Sequence, residues 1–360
     1  MKFAIIRSKF LEGIKGVQNV VPQKGSLPIL ENVLMSVEDG KLTMTTTDLD
    51  ISVRCVVDCQ VMEKGATTLP VKLLFNSVSK AAEGVVQIEV GDNDVALIVA
   101  GSAKFRMAGL PAKDYPRLPA ADESAEYSLE CTTLKEMLRK TAYAASQDDT
   151  RRARKGVLMS FKDQKLTMVA TDGRRLALVE KETEFPQDAE KDIVLPIKTV
   201  AELQRSLGTD GSVKIKLQQT QICFEMEHLS IYSKLIDDVY PNYLQVIPRN
   251  ASEKVSIDRQ LLLDALERAF VMNPTTKLVF EDNRLLVASS DNEKGSASDE
   301  VPIKYSGEKI EILFNPNYIM DCLKAIDDDE IKMELNDGHS PAVIRCSIPF
   351  LYVLMPLRVG

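Results

Sequence analysis

Several residues in this 360-residue sequence have chemical types that occur at catalytic or metal sites. Acidic clusters lie at residues 48–50, 237–238 and 327–330, and paired carboxylates can hold divalent cations or transfer protons. Ser77 and Lys80 have the Ser-x-x-Lys spacing of an acylating serine. If these residues were functional, the chain would be a hydrolase or a ligand-binding protein that uses the carboxylates.

Each of these chemical signals is weak. The acidic residues lie in predicted turns, where aspartate is favoured because its side chain hydrogen-bonds the local backbone. The two histidines, His228 and His339, lack a second ligand at metal spacing, and no glycine-rich phosphate loop occurs. Six cysteines without paired spacing are predicted to be reduced, mostly buried thiols: Cys55, Cys59, Cys131, Cys223, Cys322 and Cys346. We therefore predict no catalytic residue, no metal site and no cofactor.

A more informative pattern is the pair of arginines in a glycine-containing turn, in the sequence MVATDGRRLALVE at residues 168–180. Less similar copies of this segment surround Asp48 and Asp291. With Asp172, these turn aspartates recur at intervals of about 120 residues, which is a typical domain size. An internal repeat at this interval predicts three homologous domains.

Other elements recur at the same interval. Each repeat is predicted to begin with an amphipathic helix, at residues 8–21, 132–146 and 258–272. A proline precedes a second helix in each repeat, at Pro70, Pro196 and Pro316. Asp-Gly, Asp-Gln or Asp-Asn between two β-rich segments predicts a hairpin in each repeat. We predict an α+β fold of two helices and about eight strands per domain, with domains at 1–120, 121–250 and 251–360.

The charged residues are unevenly distributed. Lys and Arg total 45 and Asp and Glu total 53, giving a net charge of −8, which argues against a protein that coats a polyanion. The predicted helices nevertheless carry many cations, including Lys135, Arg139 and Lys140, which the helical period places with Tyr143 opposite the apolar face. Two interpretations remain open: ordinary solvated helix faces, or a weakly positive surface that meets phosphates without reading bases.

The hydrophobic segments indicate no membrane association. The longest apolar runs, such as VALIVA at 95–100, are too short to span a bilayer. The N-terminal sequence MKFAIIRSKF reaches charged residues too early for a signal peptide. We predict a cytoplasmic protein without a membrane partner.

Five motifs in order resemble the bacterial DNA polymerase III beta subunit, the beta sliding clamp family, and the resemblance runs from end to end. They are LPILENVLM (27–35), TTDLDI (46–51), VATDGRRLA (169–177), SKLIDDVYPNY (233–243) and YVLMPLR (352–358). The resemblance implies three clamp domains, each with two helices packed on antiparallel sheets, in a head-to-tail homodimeric ring of six domains. Double-stranded DNA would pass through the ring without sequence recognition. The implied partners are the clamp loader, the replicative polymerase and other proteins with a clamp-binding motif.

The resemblance also implies a role for the two arginines. In the family this turn belongs to a hydrophobic pocket for short peptides, whose positions here are Thr171, Gly173, Arg174, Arg175, Leu176, Pro241, Val246, Val353, Leu354, Met355, Pro356, Leu357 and Arg358. Apolar walls would bury a partner's leucine and phenylalanine, while guanidinium and backbone groups would satisfy its polar ends. Read without the resemblance, the apolar members are core residues of the last strand and Arg175 is a surface charge. The other repeats lack the arginines, so one pocket per chain is expected.

Two departures from the family concern charge. Family members often carry histidine in place of Arg174, and an arginine there favours acidic partner residues. The loop QDDTRRARKG at 147–156 matches the family's DNA-facing loop but has Arg152, Ala153, Arg154 and Lys155 where proline, aromatic or leucine residues are usual. The cations strengthen phosphate contact, and the absence of an aromatic residue leaves a stacking role open to question. The residues expected to contact DNA are Lys24, Lys72, Gln147, Arg151, Arg152, Arg154, Lys198 and Arg205.

The implied ring needs an interface between the first repeat of one chain and the third repeat of another. The residues expected there are Lys104, Phe105, Met107, Val271, Met272, Asp299 and Glu300. Lys104 would lie opposite Asp299 or Glu300, and the apolar residues would face each other. Assignment of these apolar residues to the cores of their own domains remains an open alternative.

Overall fold

The computed structural model describes residues 1–22, 27–118, 125–148, 150–185, 190–291, 293, 295–346 and 349–357. Lys24 and Arg358, two of the predicted site residues, lie outside these ranges. The first repeat contains α1 (Arg7–Val17), α2 (Val71–Lys80), β1 (Lys2–Ile6), β2 (Asn32–Glu38), β3 (Lys41–Thr47), β4 (Ile51–Asp58), β5 (Gln60–Glu63), β6 (Gly65–Pro70), β7 (Val85–Val90), β8 (Val95–Ala100) and β9 (Ala103–Ala108).

The second and third repeats follow the same order of elements. The second contains α3 (Cys131–Thr141), α4 (Ile197–Ser206), β10 (Ala125–Glu130), β11 (Gly156–Lys162), β12 (Lys165–Thr171), β13 (Arg175–Glu182), β14 (Lys191–Pro196), β15 (Ser212–Leu217), β16 (Gln221–Glu225) and β17 (Leu229–Lys234). The third contains α5 (Arg259–Phe270), α6 (Pro316–Ala325), β18 (Glu253–Asp258), β19 (Thr276–Glu281), β20 (Arg284–Asp291), β21 (Gly295–Lys304), β22 (Ile310–Phe314), β23 (Glu330–Leu335), β24 (Ala342–Arg345) and β25 (Phe350–Leu354). The predicted α+β repeat is confirmed.

The strands form three sheets in the described parts of the chain. Their orders are β5-β1-β7-β8-β9, then β10-β15-β16-β17-β4-β3-β2-β6, and β14-β11-β12-β13-β25-β24-β23-β18-β21-β20-β19-β22. The second sheet joins the first and middle repeats through antiparallel pairing of β17 with β4. The third joins the middle and last repeats through β13 and β25, with Leu176 opposite Val353. Backbone hydrogen bonds therefore continue across both repeat boundaries.

The chain divides into two compact units. The first comprises Met1–Leu134 with Lys198–Leu235 and contains the five- and eight-stranded sheets. The second comprises Lys135–Ile197 with Ile236–Gly360 and contains the twelve-stranded sheet, in the order given above for the described residues. Strands of the middle repeat occur in both units because its two sheets each continue into a different neighbouring repeat.

The predicted hairpins are present, and their turn residues explain them. Asp39 and Gly40 connect β2 to β3 with φ values of 49° and 76°, and Asp163 and Gln164 connect β11 to β12 with 52° and 54°. Positive φ at both central residues defines a type I′ turn, whose twist matches that of paired strands. Asn283 supplies the positive φ, 55°, between β19 and β20.

The proline near the second helix of each repeat occupies one of two positions, either just before the helix or at its first residue. Pro70 ends β6 and Pro196 ends β14, and the helix begins at the next residue in both cases. Pro316 is instead the first residue of α6, where its missing N–H costs no helical hydrogen bond. The Asn315 side chain caps that helix by accepting from the Asn317 N–H at 3.0 Å. None of the helices within the described ranges is long and apolar enough to cross a membrane.

Lys140 corrects the sequence analysis of α3. The helical period predicts it on the polar face, but its side chain is only 1% exposed. Its Nζ donates to the Glu136 carboxylate one turn earlier, at 2.5 Å. An adjacent carboxylate offsets part of the desolvation cost of the ammonium group, which is why a lysine can occupy a buried position of an amphipathic helix. Lys140 is therefore removed from the set of helix cations available to phosphates.

Candidate partner-peptide and nucleic-acid surfaces

The turn at residues 171–175 is built by its own polar side chains. Asp172 Oδ1 accepts hydrogen bonds from the Arg174 and Arg175 N–H groups at 2.8 and 3.0 Å. Thr171 Oγ1 accepts from the Gly173 N–H at 3.0 Å and donates to the Arg175 carbonyl at 2.6 Å. Gly173 has a φ of 90°, which glycine adopts without strain. The turn is therefore fixed locally, and this part of the site follows from the sequence Thr-Asp-Gly.

The first repeat uses the same turn. Asp48 Oδ1 accepts from the Asp50 and Ile51 N–H groups at 3.0 and 2.9 Å, and Thr47 Oγ1 accepts from the Leu49 N–H at 3.0 Å. Leu49 has a φ of 80°, at the position that Gly173 occupies in the middle repeat. Asp48 thus stabilises a turn, as aspartate does in many loops, and the Asp50 carboxylate pairs with Lys234 at 3.1 Å.

Arg175 is an internal structural residue and not the surface charge of the simpler interpretation. Its side chain is 11% exposed. The guanidinium donates from Nε to Asp172 Oδ2 at 3.1 Å, from Nη1 to Asp321 Oδ2 at 2.6 Å and from Nη2 to the Tyr143 carbonyl at 2.7 Å. It also lies over the Tyr318 ring, 4.4 Å from its centroid. The group therefore fastens the turn to α6 and to the segment that follows α3.

The electrostatics of this arginine agree with its contacts. Burial alone would lower the pKa of the Arg175 guanidinium, but its interactions with Tyr352, Asp321 and Asp172 raise it above the ordinary value. The guanidinium is therefore charged at every accessible pH. No sequence pattern indicated Asp321 or Tyr318, since both lie on α6 and become neighbours of Arg175 only through the tertiary structure.

The last strand supplies the second wall of the candidate pocket. Val353 and Leu354 are buried in β25, whereas Met355, Pro356 and Leu357 are half-buried beyond its end. The Met355 N–H donates to the Arg174 carbonyl at 2.9 Å, which joins this segment to the turn. Leu357 instead donates its N–H to the Leu313 carbonyl at 2.7 Å and lines a separate cavity with Lys277. Met355 is thus the member of this segment that the structure ties to the turn.

An apolar cluster forms the floor behind these residues. Its buried members are Leu158, Val169, Leu176, Leu178, Val194, Val343, Leu351 and Val353, and the half-buried side chains packed on it are Ile236, Tyr240, Tyr243 and Ile247. Leu176 is only 2% exposed and belongs to the core, while Val246 is 39% exposed and Pro241 is half-buried. Sequence reasoning missed the two tyrosines, although their spacing from Pro241 in the VYPNY segment could have indicated them.

The arginine-rich segment, residues 151–155, lies against the turn at residues 171–175, which we call the pocket turn. Residues 152–155 form a single 3-10 turn, in which Ala153 is buried and its N–H donates to Asp238 Oδ2 at 3.2 Å. A Cβ atom placed on Gly173 would lie 2.6 Å from Arg154 Nη1 and 3.4 Å from Arg151 Nη1. Two guanidinium groups that the sequence predicted as DNA contacts therefore pack on Gly173. Arg152 and Gln147 are exposed.

The predicted helix cations differ in how far they are neutralised. Lys198 forms an ion pair with Asp48 across the first unit, and Arg205 donates to the buried Glu202 carboxylate at 2.8 Å. Lys72 is exposed on α2 and has no ion pair among the described residues. Positive charge on this set is therefore partly compensated within the chain, which weakens its attraction for phosphates.

The residues predicted at the interface between chains lie on strand edges or at a helix end. Strand β9, with exposed Lys104 and half-buried Phe105, is the outer strand of its sheet. Met107 is only 2% exposed within the chain, which favours the alternative that it belongs to the core of its own domain. Phe105 and Met107 share the inner face of β9, because residues two positions apart lie on the same side of a strand, and Phe105 is half-buried there. Val271, after α5, is 77% exposed.

The carboxylates predicted opposite Lys104 already have partners. Asp299 accepts from Arg268 Nε at 2.5 Å, and Glu300 accepts from Arg284 Nη1 at 3.1 Å. Both lie on β21, which pairs with β20 over most of its length but with β18 only at Ile303 and Lys304 in the described chain. Most of the outer side of β21 is consequently free to pair with another strand.

The acidic residues at 327–330 contact other parts of the chain. Asp327 makes a bidentate ion pair with Arg139, and the backbone carbonyl groups of Asp328 and Asp329 accept from Arg259. No group of three or more His, Cys, Asp or Glu side chains suited to a metal ion occurs in the described ranges. These contacts give the acidic residues structural roles.

All three repeats match one protein family. Residues 1–119 match the N-terminal domain of the DNA polymerase III beta subunit, residues 128–242 match its central domain and residues 244–358 match its C-terminal domain. The chain therefore belongs to the DNA polymerase III beta subunit family. Its members are sliding clamps, non-catalytic processivity factors of DNA polymerase.

Individual relatives agree over the full length. The chain is 31% identical over 363 residues to the beta sliding clamp of Chlamydia muridarum, covering 100% of this chain and 99% of that protein. A crystal structure of the DNA polymerase III subunit beta from Pseudomonas aeruginosa has a TM-score of 0.96 at 30% identity, covering 100% of both chains. A sliding clamp from Bartonella birtlesii bound to griselimycin has a TM-score of 0.95 at 34% identity, also with 100% coverage of both.

Proposed function

We propose that this chain forms a head-to-tail homodimeric ring that encircles duplex DNA and tethers the replicative polymerase. Each chain contributes clamp domains at 1–120, 121–250 and 251–360. Two such chains can close into a ring, because a head-to-tail contact forms a closed ring when repeating the rotation between neighbouring chains returns to the first chain. The single observation that carries the proposal is the match of all three family domains, in order, over one chain.

Ring closure is proposed through the outer side of β9 in one chain and the unpaired side of β21 in the next. Pairing of two exposed strand edges satisfies backbone groups that are otherwise left to water. Lys104 on β9 would approach Asp299 and Glu300, whose carboxylates can accept further hydrogen bonds beside their present partners. Val271 would become buried with Met272 against Phe105.

Retention on DNA would depend on enclosure more than on adhesion. The net charge of −8 and the partly compensated helix cations argue for weak phosphate contact, which permits sliding. Lys24, Lys72, Gln147, Arg152, Lys198 and Arg205 remain the proposed DNA contacts. The proposed partners beyond the polymerase are the clamp loader and other proteins with a clamp-binding motif, in the cytoplasm.

Partner peptides are proposed to bind beside the turn at 171–175. Gly173, Arg174 and Val246 are exposed, and half-buried Met355, just beyond the end of β25, donates its N–H to the Arg174 carbonyl. The apolar cluster beneath gives these groups a rigid support, as peptide anchors require. One such site per chain follows from the absence of the Gly-Arg-Arg sequence in the other repeats.

The test is retention on DNA of different topology. A bacterial clamp loader with ATP is used to place the labelled protein on nicked circular plasmid, and bound protein is separated by gel filtration. A ring stays on the circle as a dimer of twice the 40.0 kDa chain mass and is lost when one restriction cut linearises the DNA. Linear DNA with both ends blocked by bound protein is the matched control and should retain it. Equal retention on open linear and circular DNA would contradict enclosure.

A further inference from the structure

Two guanidinium groups approach the pocket turn, and the turn itself carries a third arginine. Arg151 and Arg154 approach Gly173, with Nη1 atoms 3.4 and 2.6 Å from the position of a Cβ on that glycine. Arg174, the next residue, is exposed. We call Arg151, Arg154 and Arg174 the arginine rim. It borders the apolar site to which the peptide anchors are assigned.

The backbone holds this rim in place. The Ser146 N–H donates to the Arg154 carbonyl at 2.8 Å, and the Arg154 N–H donates to the Arg151 carbonyl at 3.0 Å. Ala153, in the same turn as Arg154, donates its N–H to Asp238. This hydrogen bond joins the arginine-rich segment to the loop at 236–247, which carries the half-buried residues of the apolar cluster. A fixed backbone reduces the conformational entropy lost when a ligand orders the side chains.

The rim makes no direct ion pair in the described parts of the chain, whereas Arg175 beside it is paired with Asp172 and Asp321. One carboxylate nevertheless lies near the rim. Hydrogen bonds from Thr150 and, to a lesser extent, the charge of Arg151 lower the pKa of the Asp148 carboxyl group. Arg154 is half-buried and close to the apolar cluster. Burial raises the pKa of the Tyr240 hydroxyl, and the positive charge of Arg154 opposes that rise, which places this charge near the cluster as well.

We propose that the arginine rim makes the pocket selective for partner peptides that carry aspartate or glutamate next to their apolar anchors. Guanidinium groups bind carboxylates through paired, charge-assisted hydrogen bonds, and a partly buried arginine does so with less competition from water. Arg154 is the principal specificity residue because it is the half-buried member and the one nearest Gly173. This inference rests on the proposed peptide site and adds the chemistry of its ligand.

The observations favour a peptide over nucleic acid as the occupant of the rim. Arg154 and Arg151 are directed at the pocket turn, and the charge of Arg154 acts on Tyr240, whose ring packs on an apolar cluster that a phosphate backbone would not use. Nucleic-acid contact needs exposed cations that follow a backbone, and the exposed Arg152 in the same segment meets that requirement.

The test compares two fluorescein-labelled peptides by fluorescence anisotropy with the full-length dimer. Both carry the same leucine and phenylalanine anchors, one with Asp and Glu between and beside them and the other with Asn and Gln. Arg154→Gln and Arg174→Gln remove rim charge. Lys181→Gln is the charge-matched control, since Lys181 is exposed near the other end of β13, about 20 Å along the strand from the turn.

At low salt, wild-type protein is expected to bind the acidic peptide about fivefold to tenfold more tightly than the amide peptide. This ratio corresponds to the summed free energies of a few partly exposed charge pairs. Raising the ionic strength from about 0.05 M to about 0.5 M should reduce this ratio below about twofold. Arg154→Gln should lower the ratio more than Arg174→Gln, and Lys181→Gln should leave it unchanged. Arg154→Leu should lose the preference and bind the amide peptide at least as well as wild type.

Other outcomes overturn the inference in distinguishable ways. Equal affinity of wild type for both peptides refutes rim selectivity while leaving the pocket intact. Failure of both peptides to bind refutes the pocket itself. A preference that survives Arg154→Gln, together with a lower salt dependence of duplex DNA binding in that variant, would assign the rim to nucleic acid.

Discussion

Replacing Arg175 with methionine tests whether this guanidinium holds the turn or serves a bound partner. The substitution keeps an unbranched apolar side chain and removes hydrogen bonds of 3.1, 2.6 and 2.7 Å to Asp172, Asp321 and the Tyr143 carbonyl. Breaking a buried ion pair costs about 3–5 kcal/mol. The Asp321 side chain is 43% exposed and regains water, so we expect the lower end, about 3 kcal/mol.

Calorimetric unfolding measures this cost. A loss of about 3 kcal/mol should lower the Tm of the affected transition by about 6–12 °C. Arg175→Lys should recover less than half of the loss because an ammonium group cannot bridge two carboxylates and a carbonyl in the planar geometry of guanidinium. Asp321→Asn should cost no more than about 1 kcal/mol, as expected for a partly exposed pair.

Peptide affinity completes the experiment. Measured well below the Tm, Arg175→Met should bind the acidic peptide only moderately less tightly, because the turn retains its Asp172 and Thr171 hydrogen bonds. The reasoning would be refuted by a variant whose Tm is unchanged within about 1 °C but which no longer binds peptide. That result would mean that the guanidinium contacts the partner and that its internal hydrogen bonds contribute little.

Three further predictions concern other regions. Thr276→Val should raise the free energy of unfolding by about 1 kcal/mol, because the buried Thr276 hydroxyl has no hydrogen-bond partner in the described chain; destabilisation in urea unfolding would indicate a hidden partner. Val271→Asp should convert the dimer to folded monomer in sedimentation, whereas Val239→Asp, at another exposed valine, should not; a dimeric Val271→Asp would move the interface elsewhere. Met355→Ala with Val246→Ala should abolish peptide binding and leave the dimer intact, and loss of the dimer or of folding would show that these side chains are structural.

Local features of the fold could be predicted from the sequence because their causes are local. The Asp39-Gly40 turn and the Thr-Asp-Gly turn at residues 171–173 depend on residues within a few positions of each other. The repeat was visible for the same reason, since the first and middle copies keep the same hydrogen bonds within the turn. These features require no knowledge of which strands become neighbours.

The remaining features depend on contacts between distant segments. Arg175 has the same local sequence context whether it faces solvent or Asp321, 146 positions away, and only the packing of α6 decides between them. Arg154 was predicted to meet DNA because its segment matches a DNA-facing loop, yet the structure packs it on Gly173. Met107 and Leu176 were assigned to surfaces, although their burial follows from which face of each sheet is covered.

Continuity of the sheets across the repeat boundaries has a consequence for dissection of the protein. A fragment consisting of the middle repeat alone would uncover the side of β17 that pairs with β4 and the side of β13 that pairs with β25. Two long unpaired edges favour aggregation. Truncation at the family-domain limits should therefore yield insoluble material, and a soluble portion of the chain would have to keep each of these strands with its neighbour from the adjoining repeat.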